Sequence, residues 1–256
     1  MEFVIDLLFQ LVLNVPILRT IVFAIIPALL LLLYVRSKDR LEPESPQLIW
    51  SLVGLGAAAM ALAFVLEMAG LFVLSKAVDP YSPIFPVLQM FLAVGLVEEG
   101  SKYLMLRLRT WKNPEFDCLF DGLVYAVAVS AGFALVENLL YLFRYGPSVV
   151  FMRAVVSIPG YICFSIFMGA WYSAAKKYEA WGDSERMRRS KALAIAVPAI
   201  AHGAFDLLAI NLETPVWIVV FILFVVAMFI VSWHIMKKLS EKDAYYRYAG
   251  HEKEAE

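Results

Sequence analysis

Long apolar runs broken by short charged clusters dominate the chain. Seven stretches stand out: Ile17–Val35, Leu48–Leu74, Phe85–Leu108, Leu119–Phe143, Val149–Ala175, Ala192–Asn211 and Pro215–Met236. Each approaches the roughly 20 residues that a helix needs to cross about 30 Å of hydrocarbon. Backbone groups in lipid must be satisfied within the segment, and no period-two alternation appears. The pattern therefore predicts an all-α polytopic transmembrane helix bundle of about seven spans. The polar breaks carry an alternating charge bias. Arg36, Lys38 and Arg40, then Arg107, Arg109 and Lys112, then Lys176 to Lys191, then the residues from Lys237 form a basic set. Arg19, Lys76, Arg144 and Arg153 form a sparse one. The positive-inside rule places the basic set in the cytoplasm, with the N-terminus outside and the C-terminus inside. Six or eight spans would break that alternation. The expected organisation is a short interfacial segment over 1–16, one transmembrane catalytic bundle over 17–236 and a loosely ordered cytoplasmic tail over 237–256.

Composition agrees. Of 256 residues 62% are hydrophobic and 18% charged, against about half and a quarter in a soluble domain. The net charge of -1 says nothing about nucleic acid, but no basic stripe with interleaved aromatics appears, so no nucleic-acid partner is expected. Cys118 and Cys163 lack metal-ligand or redox spacing and read as ordinary helix residues. Met1–Leu13 carries Glu2 and Asp6 without a basic flank, which argues against a cleaved signal peptide. The expected location is the cell membrane, as a multi-pass protein, with the lipid bilayer as its surroundings.

Charge inside a membrane is expensive and needs a reason. Three clusters lie within the apolar runs. Glu98, Glu99 and Lys102 share the third span, where Lys102 is i+4 from Glu98 and i+3 from Glu99. One lysine offsets one carboxylate, so the other needs a proton, a metal or another donor. Phe133, Glu137 and Asn138 lie in the fourth span; Glu137 has no basic residue a turn away, so its partner must come from another helix. His202 and Asp206 are i,i+4 in the sixth span, an imidazole held by a carboxylate. His234 and His251 lie at the end of the last span and in the tail. Asp117 and Asp121 flank the start of the fourth span, where Asp121 with Gly122 suits a helix cap as well as a direct role. Arg153, near the outer end of the fifth span, suits a snorkelling side chain. Glu67, alone in the second span, faces the cavity or nothing. A structural polar staple between helices is the plainer reading of Glu137 and Asn138.

These motifs, in this order on polytopic helices, resemble the PrsW family of membrane proteases. The matching stretches are VEEGSKYL at Val97–Leu104, FDGLVYAVAVSAGFALVENLLYL at Phe120–Leu142, HGAFD at His202–Asp206 and, earlier, PALLLLLYVRSKDRLEPES from Pro27 to Ser45. The wider group includes the CAAX prenyl endopeptidases and bacteriocin-processing relatives. The resemblance implies an intramembrane endopeptidase that cuts a membrane-anchored protein, such as an anti-sigma factor at the start of a stress response. By position it implies Glu98, Glu99, Glu137, His202 and Asp206 as catalytic residues. It also implies a histidine shortly after the Pro-Gly of the fifth span, where this chain has Tyr161 after Pro159-Gly160.

Peptide hydrolysis needs an activated water, an acid for the leaving amine and a stabiliser for the oxyanion. In a metal-free scheme Glu99, sharing a proton with Glu98, is the general base. His202, oriented by Asp206, serves the oxyanion or the amine; Lys102, Phe133, Asn138 and Tyr161 support the site. In a metal scheme His202, Asp206 and Glu137, with Glu98 as a further candidate, hold a divalent ion such as zinc and Glu99 is the base. With one well-placed histidine the set is carboxylate-rich for zinc. Both schemes stay open, as does a proton-coupled transporter or channel using the same groups; the lack of an internal repeat counts against that last reading.

Overall fold

The computed structural model describes residues 16–246. The expected interfacial segment, apart from Pro16, and the tail beyond 246 with His251 lie outside these residues. The chain forms α1 (Pro16–Arg36), α2 (Pro46–Ala77), α3 (Ile84–Thr110), α4 (Asp121–Tyr145), α5 (Pro147–Met152), α6 (Ile158–Ala180), α7 (Ser184–Ala209) and α8 (Pro215–Glu241). Two π-helical segments interrupt the α-helical winding, Gln89–Gly95 inside α3 and Arg153–Ser157 between α5 and α6. Among the described residues there is no strand beyond an isolated bridge between Cys118 and Tyr245. Each expected span falls on a helix or, for the fifth, on α5 and α6 together. Among the described residues, five helices are long and apolar enough to cross a membrane: α2, α3, α4, α7 and α8.

Local signals explain the helix ends. Ser45 caps α2 by accepting a hydrogen bond from the Leu48 amide at 3.3 Å, with Pro46 at the first helical position. Asp183 caps α7 through the Arg186 amide at 2.9 Å. The reversals after α4 and α6 place Gly146 and Gly182 at φ of 84° and 73°, a region costly for residues with a Cβ.

The centre of the bundle is α4, buried along most of its length, while α2 and α8 present apolar side chains such as Phe64, Phe72, Val216 and Leu223 outward. Lipid solvates such side chains as well as a protein core does, so bundle contacts depend on close backbone approach. At the α2–α4 crossing a Cβ on Gly56 would lie 1.9 Å from the Val129 carbonyl oxygen, and one on Gly132 1.9 Å from that of Val53. The two glycines are reciprocal: each is the notch for the other helix's backbone. Glycines 122 and 169 make a similar approach between α4 and α6.

At the end of the bundle bearing Arg36 and Arg109, the segment after α8 folds back rather than trailing away. Ala244 accepts from the Leu119 amide at 3.2 Å, and Tyr246 donates to the Asp117 carbonyl at 2.8 Å. The Asp243 carboxylate accepts from the Phe120 amide at 2.9 Å, and Ser240 Oγ donates to the Lys38 carbonyl at 2.6 Å. Residues 237–241 thus continue α8, and 242–246 clasp the loop that leads into α4. Asp121 closes the same loop by accepting from the Cys118 amide at 2.6 Å and the Asp117 amide at 3.0 Å. Cys118 and Cys163 are both free and buried.

Under this clasp, carboxylate oxygens of Asp39, Glu44 and Asp121 lie within 4.8 Å of one another. Burial, reinforced by the Glu115 and Asp39 charges, pushes Glu44 up to about 8; burial and Asp243 push Asp39 up to about 6. The folded state therefore keeps protons that the unfolded chain releases near 3.8 to 4.5. That contribution to stability is complete below the unfolded values and is lost as pH rises through about 6 and then about 8. The apparent Tm in detergent is expected to fall by several degrees from about pH 5 to about pH 9, and Glu44→Gln, neutral throughout, to at least halve the fall. Equal slopes for the two proteins would remove this cluster as the cause.

Candidate active site

Close packing of α3 on α7 assembles the site. A Cβ on Gly95 would meet the Ala199 carbonyl oxygen at 2.7 Å, and one on Gly203 would meet Phe91 Cα at 2.9 Å. This approach brings the first turns after the π-helical segment of α3 against the middle of α7. A π-helical segment carries an extra residue per turn, so it sets the rotational phase of the helix beyond it. In α3 the first turn beyond it carries Glu98 and Glu99.

Glu99 and Lys102 are fully enclosed, at 0% and 1% exposure, and His202 nearly so at 2%. Lys102 Nζ lies 2.8 Å from Glu99 Oε1 and 3.3 Å from Glu98 Oε2. The ammonium also stands 4.0 Å from the Phe133 ring centroid and 4.7 Å from that of Tyr161. Phe133 is thus the aromatic floor under the lysine, a desolvated cation–π contact. His202 Nδ1 is 3.0 Å from Glu99 Oε1; Nε2 is 3.4 Å from Asp206 Oδ2 and 3.9 Å from Glu98 Oε2. Phe164 stacks on the imidazole at 4.7 Å and 17°, and Tyr161 meets it edge-on at 5.7 Å. Five of the expected residues, Glu98, Glu99, Lys102, His202 and Asp206, therefore form one charge cluster.

Glu137 and Asn138 form a second group on the adjoining wall. Glu137 Oε2 accepts from the Tyr161 hydroxyl and lies 2.7 Å from an Arg153 guanidinium nitrogen. Arg153 Nε donates to Asn138 Oδ1 at 2.8 Å, and the guanidinium covers the Tyr141 ring at 3.8 Å. Arg153 is the cross-helix partner that Glu137 required. It does not snorkel, being only 8% exposed. The sequence carried a usable signal: one unexplained acid and one basic residue in neighbouring spans.

Both groups border a cavity of about 490 Å³. Its polar lining includes Glu67, Glu98, Glu137, Arg153, Tyr161, His202 and Asp206, set among Met60, Phe64, Met90, Leu140 and Phe205. Its lining runs to Arg144, Tyr145, Ala209 and Ile210, at the end of the bundle opposite the clasp. Glu98 lines this space; Glu99 lies behind it. Glu67, unassigned from sequence, also reaches the cavity. Asp117 and Asp121 lie at the other end.

The donor set at this wall suits a divalent ion. If Nδ1 of His202 donates to Glu99, Nε2 presents its lone pair toward carboxylate oxygens of Asp206 and Glu98. A lone pair facing carboxylate oxygens at 3.4 and 3.9 Å needs a proton or a cation between them. A carboxylate behind an imidazole is also the arrangement that fixes a metal-binding tautomer. Ligand atoms of Glu98, Glu99 and His202 fall within 4.8 Å of one another. Glu99 Oε2 is buried with no hydrogen-bond partner among the described residues. One nitrogen with carboxylate oxygens is a donor set that borderline and hard divalent ions accept. The residues present fit such an ion. Glu137 belongs to the arginine group instead.

Comparison with known proteins agrees with this architecture. The profile described as PrsW family intramembrane metalloprotease matches residues 44–233. A protein named Protease PrsW from Clostridioides difficile (strain 630) is 33% identical over 189 residues, covering 72% of this chain and 76% of the relative. The protein of that name from Oceanobacillus iheyensis is 29% identical over 217 residues, covering 85% and 94%. The one from Bacillus subtilis (strain 168) is 29% identical over 202 residues, covering 76% and 83%. No solved structure matches. With the matched region spanning every helix that contributes to the cavity, the chain belongs to the PrsW protease family and is a multi-pass membrane protease.

Proposed function

We propose that the chain hydrolyses a peptide bond of a membrane-anchored regulatory protein, of the anti-sigma-factor kind, inside the cavity between α2, α3, α4, α6 and α7. The observation that carries this reading is the alignment of Glu98, His202 and Asp206 along a cavity wall, with Glu99 and Lys102 buried behind them. Hydrolysis needs a base that water can reach, and Glu98 reaches the cavity. Glu98 takes the proton of the attacking water. Glu99 holds Lys102 and His202 in place and keeps the paired charges from collapsing onto Glu98. His202, oriented by Glu99 and Asp206, delivers a proton to the leaving amine or donates to the oxyanion. In the alternative with a divalent ion, Glu98, Glu99 and His202 would hold it in place of these proton transfers, and it would supply Lewis acidity to the water and the scissile carbonyl. The cavity extends to the end poor in basic residues, which the positive-inside rule assigns to the outer face. The scissile bond is thus on the outer side of the bilayer centre.

The test uses purified protein in detergent with a membrane-anchored candidate substrate, products being identified by mass spectrometry. Wild type is expected to yield one defined cut with no ion gradient present, which a transporter cannot do. Metal content is measured in parallel. A near-stoichiometric divalent ion that is lost in His202→Ala assigns the ion to this site; an active preparation without metal assigns the chemistry to Glu98 and His202 alone. Absence of cleavage of every candidate, with the protein folded, counts against proteolysis.

A further inference from the structure

We propose that Arg153 is a positioning residue of this protease, acting through Glu137 to fix the Tyr161 hydroxyl at the cavity wall. The inference rests on the peptidase reading above. The geometry is specific. Arg153 engages three polar partners at once: Glu137 Oε2 at 2.7 Å, Asn138 Oδ1 at 2.8 Å and the Tyr161 hydroxyl at 3.4 Å. Its planar fork suits such divided hydrogen bonding, which an ammonium cannot reproduce in full. The Tyr141 ring covers the guanidinium, so the charge is shielded from the side. Arg153 opens the second π-helical segment, whose wide turn carries it toward α4. Such segments are enriched at functional sites.

Stability alone is a weak reason for this arrangement. A buried ion pair recovers little more than its desolvation cost, and an apolar set of equal volume packs as well. The pair is moreover placed on the wall of the cavity that holds the reacting groups, since Glu137, Arg153 and Tyr161 all line it. Tyr161 faces two ways. Its hydroxyl donates to Glu137, and its ring lies edge-on to His202 and beneath the Lys102 ammonium. A phenol fixed by a charged acceptor cannot rotate, so the ring that borders the imidazole cannot drift. Arg153 thereby holds one side of the imidazole's surroundings, while Glu99 holds the other.

The test combines a double-mutant cycle with a spectroscopic reading. Arg153→Met, Glu137→Gln and the double variant are compared for kcat and KM, with Arg153→Lys as the conservative control. Arg153→Met is expected to lower kcat about 10- to 100-fold with KM changed less than about threefold. Arg153→Lys should recover much of that loss. The double variant should fall well short of the product of the two single losses, because Arg153 acts mainly through Glu137 and only secondarily through its longer contact to the hydroxyl. Multiplying losses, a change confined to KM, or a lysine variant as poor as the methionine one would each overturn the proposal. Independently of turnover, the infrared C–O stretch of ring-labelled Tyr161, assigned with Tyr161→Phe, should shift in Arg153→Met and stay near its wild-type position in Arg153→Lys. An unshifted band in folded Arg153→Met overturns the positioning role whatever the activity. A wild-type protein that cuts nothing overturns the peptidase reading, and the infrared measurement still decides the contact.

Discussion

Glu98→Gln is expected to lower turnover of a membrane-anchored substrate by about a thousandfold while leaving the apparent Tm within about 2 °C of wild type. The amide keeps the shape of the side chain and removes its basicity. Lys102 retains Glu99 at 2.8 Å, so the loss of its longer contact to Glu98 at 3.3 Å leaves no cation stranded. Glu99→Gln is expected to behave differently. Glu99 Oε1 accepts from both Lys102 and His202, at 2.8 and 3.0 Å, in a fully enclosed site. Removing that charge leaves a buried ammonium poorly matched, a change that costs about 3–5 kcal/mol in comparable cases. This variant should lose activity and several degrees of Tm together. Turnover and thermal scans on both variants separate the two roles. A folded, inactive Glu99→Gln beside an unstable Glu98→Gln would exchange the assignments.

The second large effect is structural. Gly132→Ala would put a methyl group 1.9 Å from the Val53 carbonyl oxygen and 2.7 Å from its carbonyl carbon, both of them backbone atoms. No side-chain rotation relieves that overlap. Helices α2 and α4 must separate, and the separation spreads to the cavity that both of them line. A loss of about 3 kcal/mol, or about 10 °C in apparent Tm, is expected, with a corresponding fall in membrane yield. Gly54→Ala is the matched control. It lies on the same helix as Gly56, nothing stands within 4 Å of its Cβ position, and alanine is the better helix former. Its Tm should hold or rise. Equal behaviour of the two variants would show that the α2–α4 approach is looser than described.

The sequence made the bundle legible because lipid imposes a length and a polarity that no loop mimics. Ile17–Val35 through Pro215–Met236 could be marked on that ground alone. Within one helix, spacing also carried over: Glu98 with Lys102, and His202 with Asp206, are pairs set by the α-helical turn. What spacing could not give was rotation between helices. Glu98 and Glu99 are separated by about 100° around α3, and which of them meets the cavity depends on the phase left by the π-helical segment Gln89–Gly95. Likewise Glu137 demanded a partner, but nothing along α4 pointed to Arg153. Its position near an outer helix end suited a side chain reaching for the interface, whereas the fold turns it inward. The segment after Lys237 looked polar and unanchored because its partners, Lys38, Asp117 and Leu119, lie far away in sequence.

That last feature bears on how the protein matures. The bond from Ser240 to Lys38 joins residues 202 positions apart, and Tyr245 reaches Glu42 across 203. None of these contacts can form until α8 has left the ribosome and entered the bilayer. Until then the loop before α2 and the entry to α4 have no clasp, and their carboxylates have no cover. Completion of the bundle is therefore timed by its final helix. A nascent chain stalled before α8 would carry the whole cluster of Glu98, Glu99, Lys102 and His202 yet have an open end where the clasp belongs, leaving quality-control proteases a window that closes only with the last contacts.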